Sequence, residues 1–339
     1  MDESSHHPPV EHLAELVDAG AHDDAIACLE QFETAPKEER KAALRTLRRF
    51  EAESSAALGP LLPALSPFFI DEERSVRLTA AKLFVAVAEQ DPDAVVSILP
   101  MLTERLADAD EFYFVRARVA EALGNVARKH PTEVASPAVV AELQIGLSFD
   151  EPEVKEKLAK ALADIALGDP NRLDHRVSNL AEHLDDGDEL VRYYLCTALG
   201  AVGCVSPEAL AEAVDALAAR LDDGNDHVRG RAAEALGLLG RADGGDSLPT
   251  VAMSQLREGS EDETTFVRDR VRFALEVIDG RERISEESDR EGTLDGLRAT
   301  TDEAVAEITS PERDDGCPSC GLSLPENGPP ICPRCGSPQ

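Results

Sequence analysis

The sequence predicts an all-α fold: an α-α superhelix of about seven stacked helix pairs over residues 10–280, with a small metal-binding module near its C-terminal end. Three observations predict it. A helical segment recurs six times at steps of 37 or 39 residues. The apolar material is mostly Ala, Leu and Val, with aromatics at 4% and no Trp, which suits closely packed helices. Four late cysteines stand as two Cys-x-x-Cys pairs.

The recurring unit is clearest at Asp223–Gly237, DGNDHVRGRAAEALG. From Val228, the residues Ala232, Ala235, Leu236 and Leu239 follow at four, seven, eight and eleven positions, the spacing of one helix face. Gly237 sits where two helices can approach closely. Related segments start at Asp71, Asp110, Asp150, Asp186 and Asp262. Each has an acidic turn, then Val-Arg (once Val-Lys), then a helix of small residues. The valines are 76, 115, 154, 191, 228 and 267. Partner helices are expected between them, at Pro92–Ala107, Pro207–Leu221 and Asp246–Arg257. A helix pair of this kind cannot bury its apolar face alone, and stacking supplies the missing wall.

Ahead of the regular repeats, residues 1–9 read as a disordered leader. Val10–Ala19 and Ala21–Phe32 read as short amphipathic helices split by Gly20. Pro36 suits the first turn of a third helix running to about Phe50. Lys37, Arg40, Lys41, Arg45, Arg48 and Arg49 make that helix basic. A solvated outer face on a terminal repeat would account for it, and so would a docking surface for an acidic partner or for phosphate. Beyond the repeats, residues 281–316 are rich in Glu, Asp, Ser and Thr and read as a flexible acidic linker. Thr301–Ile308 is the one stretch there with helical character.

Charge adds a separate constraint. There are 67 Asp+Glu against 34 Lys+Arg, a formal net charge of -33, and only seven of the basic residues are Lys. The acids are spread along helical segments. Low Lys, dispersed acids and few aromatics resemble the halophilic composition of proteins from salt-adapted archaea. In molar salt the Debye length is about 3 Å, which screens such self-repulsion. No run approaches the ~20 apolar residues of a membrane span. The N-terminus lacks the basic-then-apolar order of a signal peptide, so a cytoplasmic protein is expected.

The tail carries CPSCG and CPRCG, with Cys317, Cys320, Cys332 and Cys335. Each pair can set two thiolates on one side of a tetrahedron, and the following Gly lets the backbone turn around the metal. The segment 317–336 is too small to fold on an apolar core, so the metal would supply its folding free energy. It resembles a small zinc ribbon. Rubredoxins use similar knuckles for iron, but with pairs further apart and enclosed aromatic residues. Four thiolates leave no open coordination position, which implies structural Zn2+. Cys28, Cys196 and Cys204 read as small core residues.

The Val-Arg pair, the preceding Asp and the Ala-x-x-Ala-Leu-Gly pattern over residues 20–280 resemble the HEAT-repeat family. The resemblance implies a hydrogen-bonded ladder between neighbouring repeats. Its Asp row would be Asp71, Asp110, Asp186, Asp223 and Asp262; its Arg row would be Arg77, Arg116, Arg192, Arg229 and Arg268. Lys155 departs from it, and its point charge should make a weaker rung. The resemblance also implies a non-catalytic scaffold for protein partners. On the face opposite the core, the third residue after each Val gives Thr79, Arg118, Lys157, Tyr194, Arg231 and Arg270. Of these, Arg118 and Arg231 can pair with Glu121 and Glu234 at helical spacing. Lys157 with Lys160, and Tyr193 with Tyr194, are then the expected partner-binding patch, with Arg118, Arg231 and Arg270 as further candidates.

Two other function classes find less support in the sequence. The HEAT-like deoxyhypusine hydroxylases hold two irons with His-Glu pairs, and no His-Glu dipeptide occurs in this chain. Nor does anything mark the bilin site of the lyases built from related repeats. Nucleic-acid binding would have to use helix 37–50 and the ribbon. Between Cys317 and Gln339, however, Arg334 is the lone basic residue and no aromatic is present for base stacking.

Overall fold

The computed structural model describes residues 7–50, 58–280 and 290–310. Most of the expected leader, the two ends of the expected linker (281–289 and 311–316) and the whole cysteine module lie outside the described residues. The chain divides into two compact units, meeting in sequence at Phe149 and Asp150. No strand occurs among the described residues, and no helix there is long and apolar enough to cross a membrane.

The first unit contains α1 (Val10–Asp18), α2 (His22–Phe32), α3 (Lys37–Arg48), α4 (Leu62–Phe69), α5 (Arg74–Gln90), α6 (Leu99–Ala107), α7 (Tyr113–Ala127) and α8 (Pro137–Gly146). Helix α5 packs against α3, α4 and α7. In the second unit are α9 (Pro152–Gly168), α10 (Val177–Ala181), α11 (Glu189–Val205), α12 (Val214–Ala219), α13 (Asp226–Asp243), α14 (Thr250–Gly259), α15 (Thr265–Ile278) and α16 (Leu294–Ile308). There α9, α11, α13 and α15 stack side by side in sequence order, each the second helix of its repeat.

The repeat register holds where its residues are apolar. Val76, Val115, Val154, Val191, Val228 and Val267 are all buried in the core. Gly237 marks the close approach of α13 to α15: a Cβ there would lie 2.7 Å from the Cα of Ala274. The first helices of the repeats are more broken than their periodicity suggests. The helix expected over Pro92–Ala107 divides into Pro92–Val95, a 3₁₀ turn Val96–Ile98, and α6. Pro100 has no N–H to give the Val96 carbonyl, so the helix must restart beside it. The stretch Pro207–Leu221 is likewise 3₁₀ over Pro207–Ala213, with α12 as its only α-helical part.

Successive repeats are tied through their turns. The Oδ1 of Asp223 accepts the N–H of Asn225 at 3.0 Å, and the Asn225 side chain in turn caps the N–H groups of His227 and Val228. Both carboxylate oxygens of Asp223 accept from Arg192 of the preceding repeat, from Nε and Nη2, each at 2.8 Å. The other terminal nitrogen of Arg192 donates to the carbonyl oxygen of Asp186 in its own turn. One guanidinium thus fixes its own turn and the next. Arg229 repeats the arrangement with Asp262 and the Asp223 carbonyl. Arg268 donates to the carbonyls of Asp262 and Glu263. Lys155 makes its expected single-point contact with Asp186.

In the first unit the ladder differs from the expected rows at two places. Arg77 binds Glu111, not Asp110, through Nε at 2.8 Å and Nη2 at 2.7 Å. Asp110 is exposed, while the Glu111 carboxylate is fully buried and is also reached by Arg105 at 3.2 Å. Glu111 lies one residue nearer the helix, and its extra methylene lets it reach the same position. Arg116 donates instead to the Leu106 carbonyl and to Glu142. A rung missing from the sequence reading is Arg40 on α3, which donates to Asp71 at 3.0 Å.

This placement separates two adjacent acids. Glu111→Ala should lower unfolding free energy by about 1–3 kcal/mol, because it removes the buried carboxylate shared by the half-buried guanidiniums of Arg77 and Arg105. Asp110→Ala should stay within about 0.5 kcal/mol of wild type. Urea unfolding followed by circular dichroism measures both, and equal effects would refute the assignment.

Candidate functional site

In the second unit, the face expected to be open is covered. Helix α16 lies across α9 and α11, and its residues also bond to side chains of α13 and α15. The acidic stretch read as a tether therefore contains an ordered helix of 15 residues, nearly two turns longer than Thr301–Ile308. Its buried positions include Leu297, Thr301, Ala304 and Ile308, at offsets of four, seven and eleven, one face of a helix. Thr293 caps its start by accepting the Gly296 N–H at 3.1 Å.

The chain enters this helix through Gly292, which sits at φ +69° against the ring of Phe273. A Cβ there would lie 2.1 Å from the Phe273 Cζ, so both the dihedral and the space require glycine. Leu297 packs over Gly200 of α11, 3.6 Å from where that residue's Cβ would be. Arg298 donates to the carbonyl of Leu167 near the end of α9, at 2.8 and 2.6 Å. At the far end Glu307 meets the His227 ring at 2.9 Å.

Beneath the helix lies a buried polar network. Arg231 is 0% exposed; its Nη1 donates to Glu234 at 2.8 Å, and its Nη2 to the Tyr193 hydroxyl at 3.2 Å and the Thr300 hydroxyl at 2.8 Å. Arg270 donates from Nε to the same Glu234 oxygen at 3.2 Å and from Nη1 to the Phe266 carbonyl. Its guanidinium lies 3.4 Å from the centre of the Phe266 ring, a cation–π contact. The second oxygen of Glu234 accepts the Gly292 N–H at 2.7 Å. Burial alone would raise the Glu234 carboxyl pKa. The two guanidiniums and the Gly292 N–H outweigh that and hold it below the ordinary carboxylate range.

The sequence-derived partner patch is thereby corrected. Tyr193, Tyr194, Arg231 and Arg270 are buried, not exposed. Arg231 and Glu234 do pair as their spacing suggests, but inside the protein. Lys157 and Lys160 are half-buried and bound to Glu156 at 3.2 Å and Asp164 at 3.0 Å. In the first unit Arg118 pairs with Glu121 at 2.7 Å, also as the spacing suggests. On the basic helix, Lys37 pairs with Glu73 and Arg40 with Asp71, while Arg45, Arg48 and Arg49 are exposed. Burial pushes the Cys196 and Cys204 thiols up to about 12, consistent with inert packing residues. Among the described residues, no group of three or more His, Cys, Asp or Glu is placed to hold a metal ion.

Comparison with known proteins agrees with this architecture. The family model for HEAT repeats matches residues 177–276. No curated protein matches the chain. Among solved structures, an engineered protein from the Northeast Structural Genomics Consortium aligns with a TM-score of 0.64 at 23% identity, over 80% of this chain and 71% of its own. A second engineered protein from that source aligns at 0.58 and 22%, over 65% of this chain and 96% of its own. A designed armadillo repeat protein in complex with the peptide (KR)4 aligns at 0.56 and 19%, over 64% and 99%. The fold is a helical repeat solenoid of the HEAT and armadillo kind.

Glu234→Gln should cost about 3–5 kcal/mol by leaving two buried guanidiniums without a counter-charge. Because the folded-state pKa of Glu234 is depressed, its contribution is complete above the unfolded-state value and is lost as pH falls through the folded value. Acid titration should therefore destabilise the wild type below pH ~4.5 more steeply than the variant. Parallel acid-unfolding slopes would refute this role for Glu234.

Proposed function

We propose that the chain is a non-catalytic scaffold that binds protein partners on a repeat face, with a tethered structural zinc ribbon as a second contact. The observation that supports it best is the seating of α16. The stacked second helices of one unit present a face on which a separate helix is held by side-chain bonds to α9, α13 and α15 and by packing on α11, as a partner segment would be. The designed armadillo protein of similar fold carries a peptide, and the same use of a repeat surface is proposed for this chain. The nucleic-acid reading has less support, since two of the six cations of the basic helix are engaged in ion pairs with carboxylates of the following turn.

The zinc proposal rests on the spacing of Cys317, Cys320, Cys332 and Cys335. Four thiolates would hold one Zn2+ tetrahedrally and stabilise the module without catalysing anything. The acid excess and low lysine content support a cytoplasm of high salt, where screening shortens the reach of surface charge.

The purified chain should contain about one zinc per molecule, and Cys320→Ser with Cys335→Ser should remove it. Metal analysis of both proteins decides this, and iron in place of zinc would overturn the assignment. Affinity capture from native extract in molar KCl should retrieve protein partners. Their loss in the cysteine double variant would assign recognition to the module, and their retention would assign it to the repeats. Capture of nucleic acid without protein would count against the scaffold reading.

A further inference from the structure

The contact between α16 and the repeats differs in kind from the contacts among the repeats. Helix α11 buries 13 of its residues and α13 likewise 13. Helix α16 buries five, and of these only Leu297, Ala304 and Ile308 have apolar side chains. The rest of its hold is polar: the Thr300 hydroxyl on Arg231 and Arg270, Arg298 on the Leu167 carbonyl, and Glu307 on His227.

The face beneath retains partners of its own. Arg231 keeps Glu234 and Tyr193, and Arg270 keeps Glu234 and the Phe266 carbonyl, all within the repeats. Removing α16 takes two threonine hydroxyls and the Leu297 carbonyl from Arg231, one of those hydroxyls from Arg270, and the Gly292 N–H from Glu234, groups that water can replace. The charges also sort by side. Arg231 and Arg270 stand against Glu234 on the face, and the His227 ring lies between Asp226 and Glu307, in a chain whose net charge is -33. The helix on top carries Asp295, Asp302, Glu303 and Glu307 against Arg298 alone.

We propose that α16 is a ligand held in cis, and that the face of Tyr193, His227, Arg231 and Arg270 takes an acidic amphipathic helix of a protein partner when α16 leaves. The partner helix carries small or apolar residues at the spacing of Leu297, Thr301, Ala304 and Ile308, a hydroxyl toward the two arginines, and a carboxylate toward His227. This rests on the scaffold reading and adds to it both a partner chemistry and a means of control, since the resident helix and the partner compete for one face.

The test uses the full chain and a fluorescent peptide of residues 290–310. Leu297→Asp with Ile308→Asp should release α16 while leaving the face intact. The variant should bind the peptide at least tenfold more tightly than wild type. A peptide carrying Thr300→Val and Glu307→Lys should bind at least tenfold more weakly than the parent peptide. Hydrogen exchange in the wild type should show the amides of α16 opening faster than those of α11.

Equal peptide affinity in variant and wild type would overturn the proposal, as would preference for a basic peptide or an oligonucleotide. Unfolding of the second unit in the variant, or exchange of α16 only together with α11, would also overturn it by making α16 part of the core. If peptide binding fails while native partners are still captured by wild type, the cis-ligand inference falls and the scaffold reading stands.

Discussion

The ion pair between an arginine and the turn carboxylate of the next repeat is the interaction on which the architecture most depends. A repeat of two helices has one apolar face too many to stand alone, and burial holds neighbours together without choosing their register. The ladder chooses it. Arg192 reaches Asp223 with two nitrogens and its own turn with a third, so both turns are fixed relative to one planar group. Asp223 meanwhile organises the turn that starts the next helix. Helix initiation and repeat stacking share one residue.

The second unit adds a use of the same chemistry in the interior. Glu234 lies between two guanidiniums with a backbone N–H on its other oxygen, so a buried carboxylate is compensated on every side. Such a cluster is costly to form and costly to break. Its location explains why α16 adopts a defined position despite its small apolar contribution. The hydroxyl of Thr300 and the N–H of Gly292 fit donors and acceptors that are already rigid.

Local spacing carried much of this information and longer range carried the rest. The six valines and the close approach at Gly237 follow from helical periodicity, which a sequence displays directly, while the Arg192 and Arg229 rungs follow from the resemblance to HEAT repeats. The choice of Glu111 over Asp110 depends on the reach of one methylene, which periodicity does not encode. Arg231 looks solvent-facing because its position in the helix is opposite the core; its burial depends on Thr300, 69 residues further on. Leu297, Thr301, Ala304 and Ile308 do form a helical face in the sequence, but the surrounding Asp, Glu and Thr give the stretch the composition of a linker. The regular repeat at Asp223–Gly237 thus supplies both the cleanest ladder rung and the buried centre of the candidate site.

The ladder has a further consequence for how such a chain can change in length. Arg77, Arg192 and Arg229 each recognise a carboxylate in the following turn and a carbonyl in their own, and nothing in that recognition refers to position along the array. Removal of the segment from Asp186 to Asp222 would bring Lys155 to face Asp223, an acid of the same kind in the same turn geometry. Duplication of that segment would insert one more identical rung. The spacing of the repeats therefore acts as a cassette length. Gain or loss of whole units by recombination would preserve stacking, whereas an insertion of a few residues within a turn would break it.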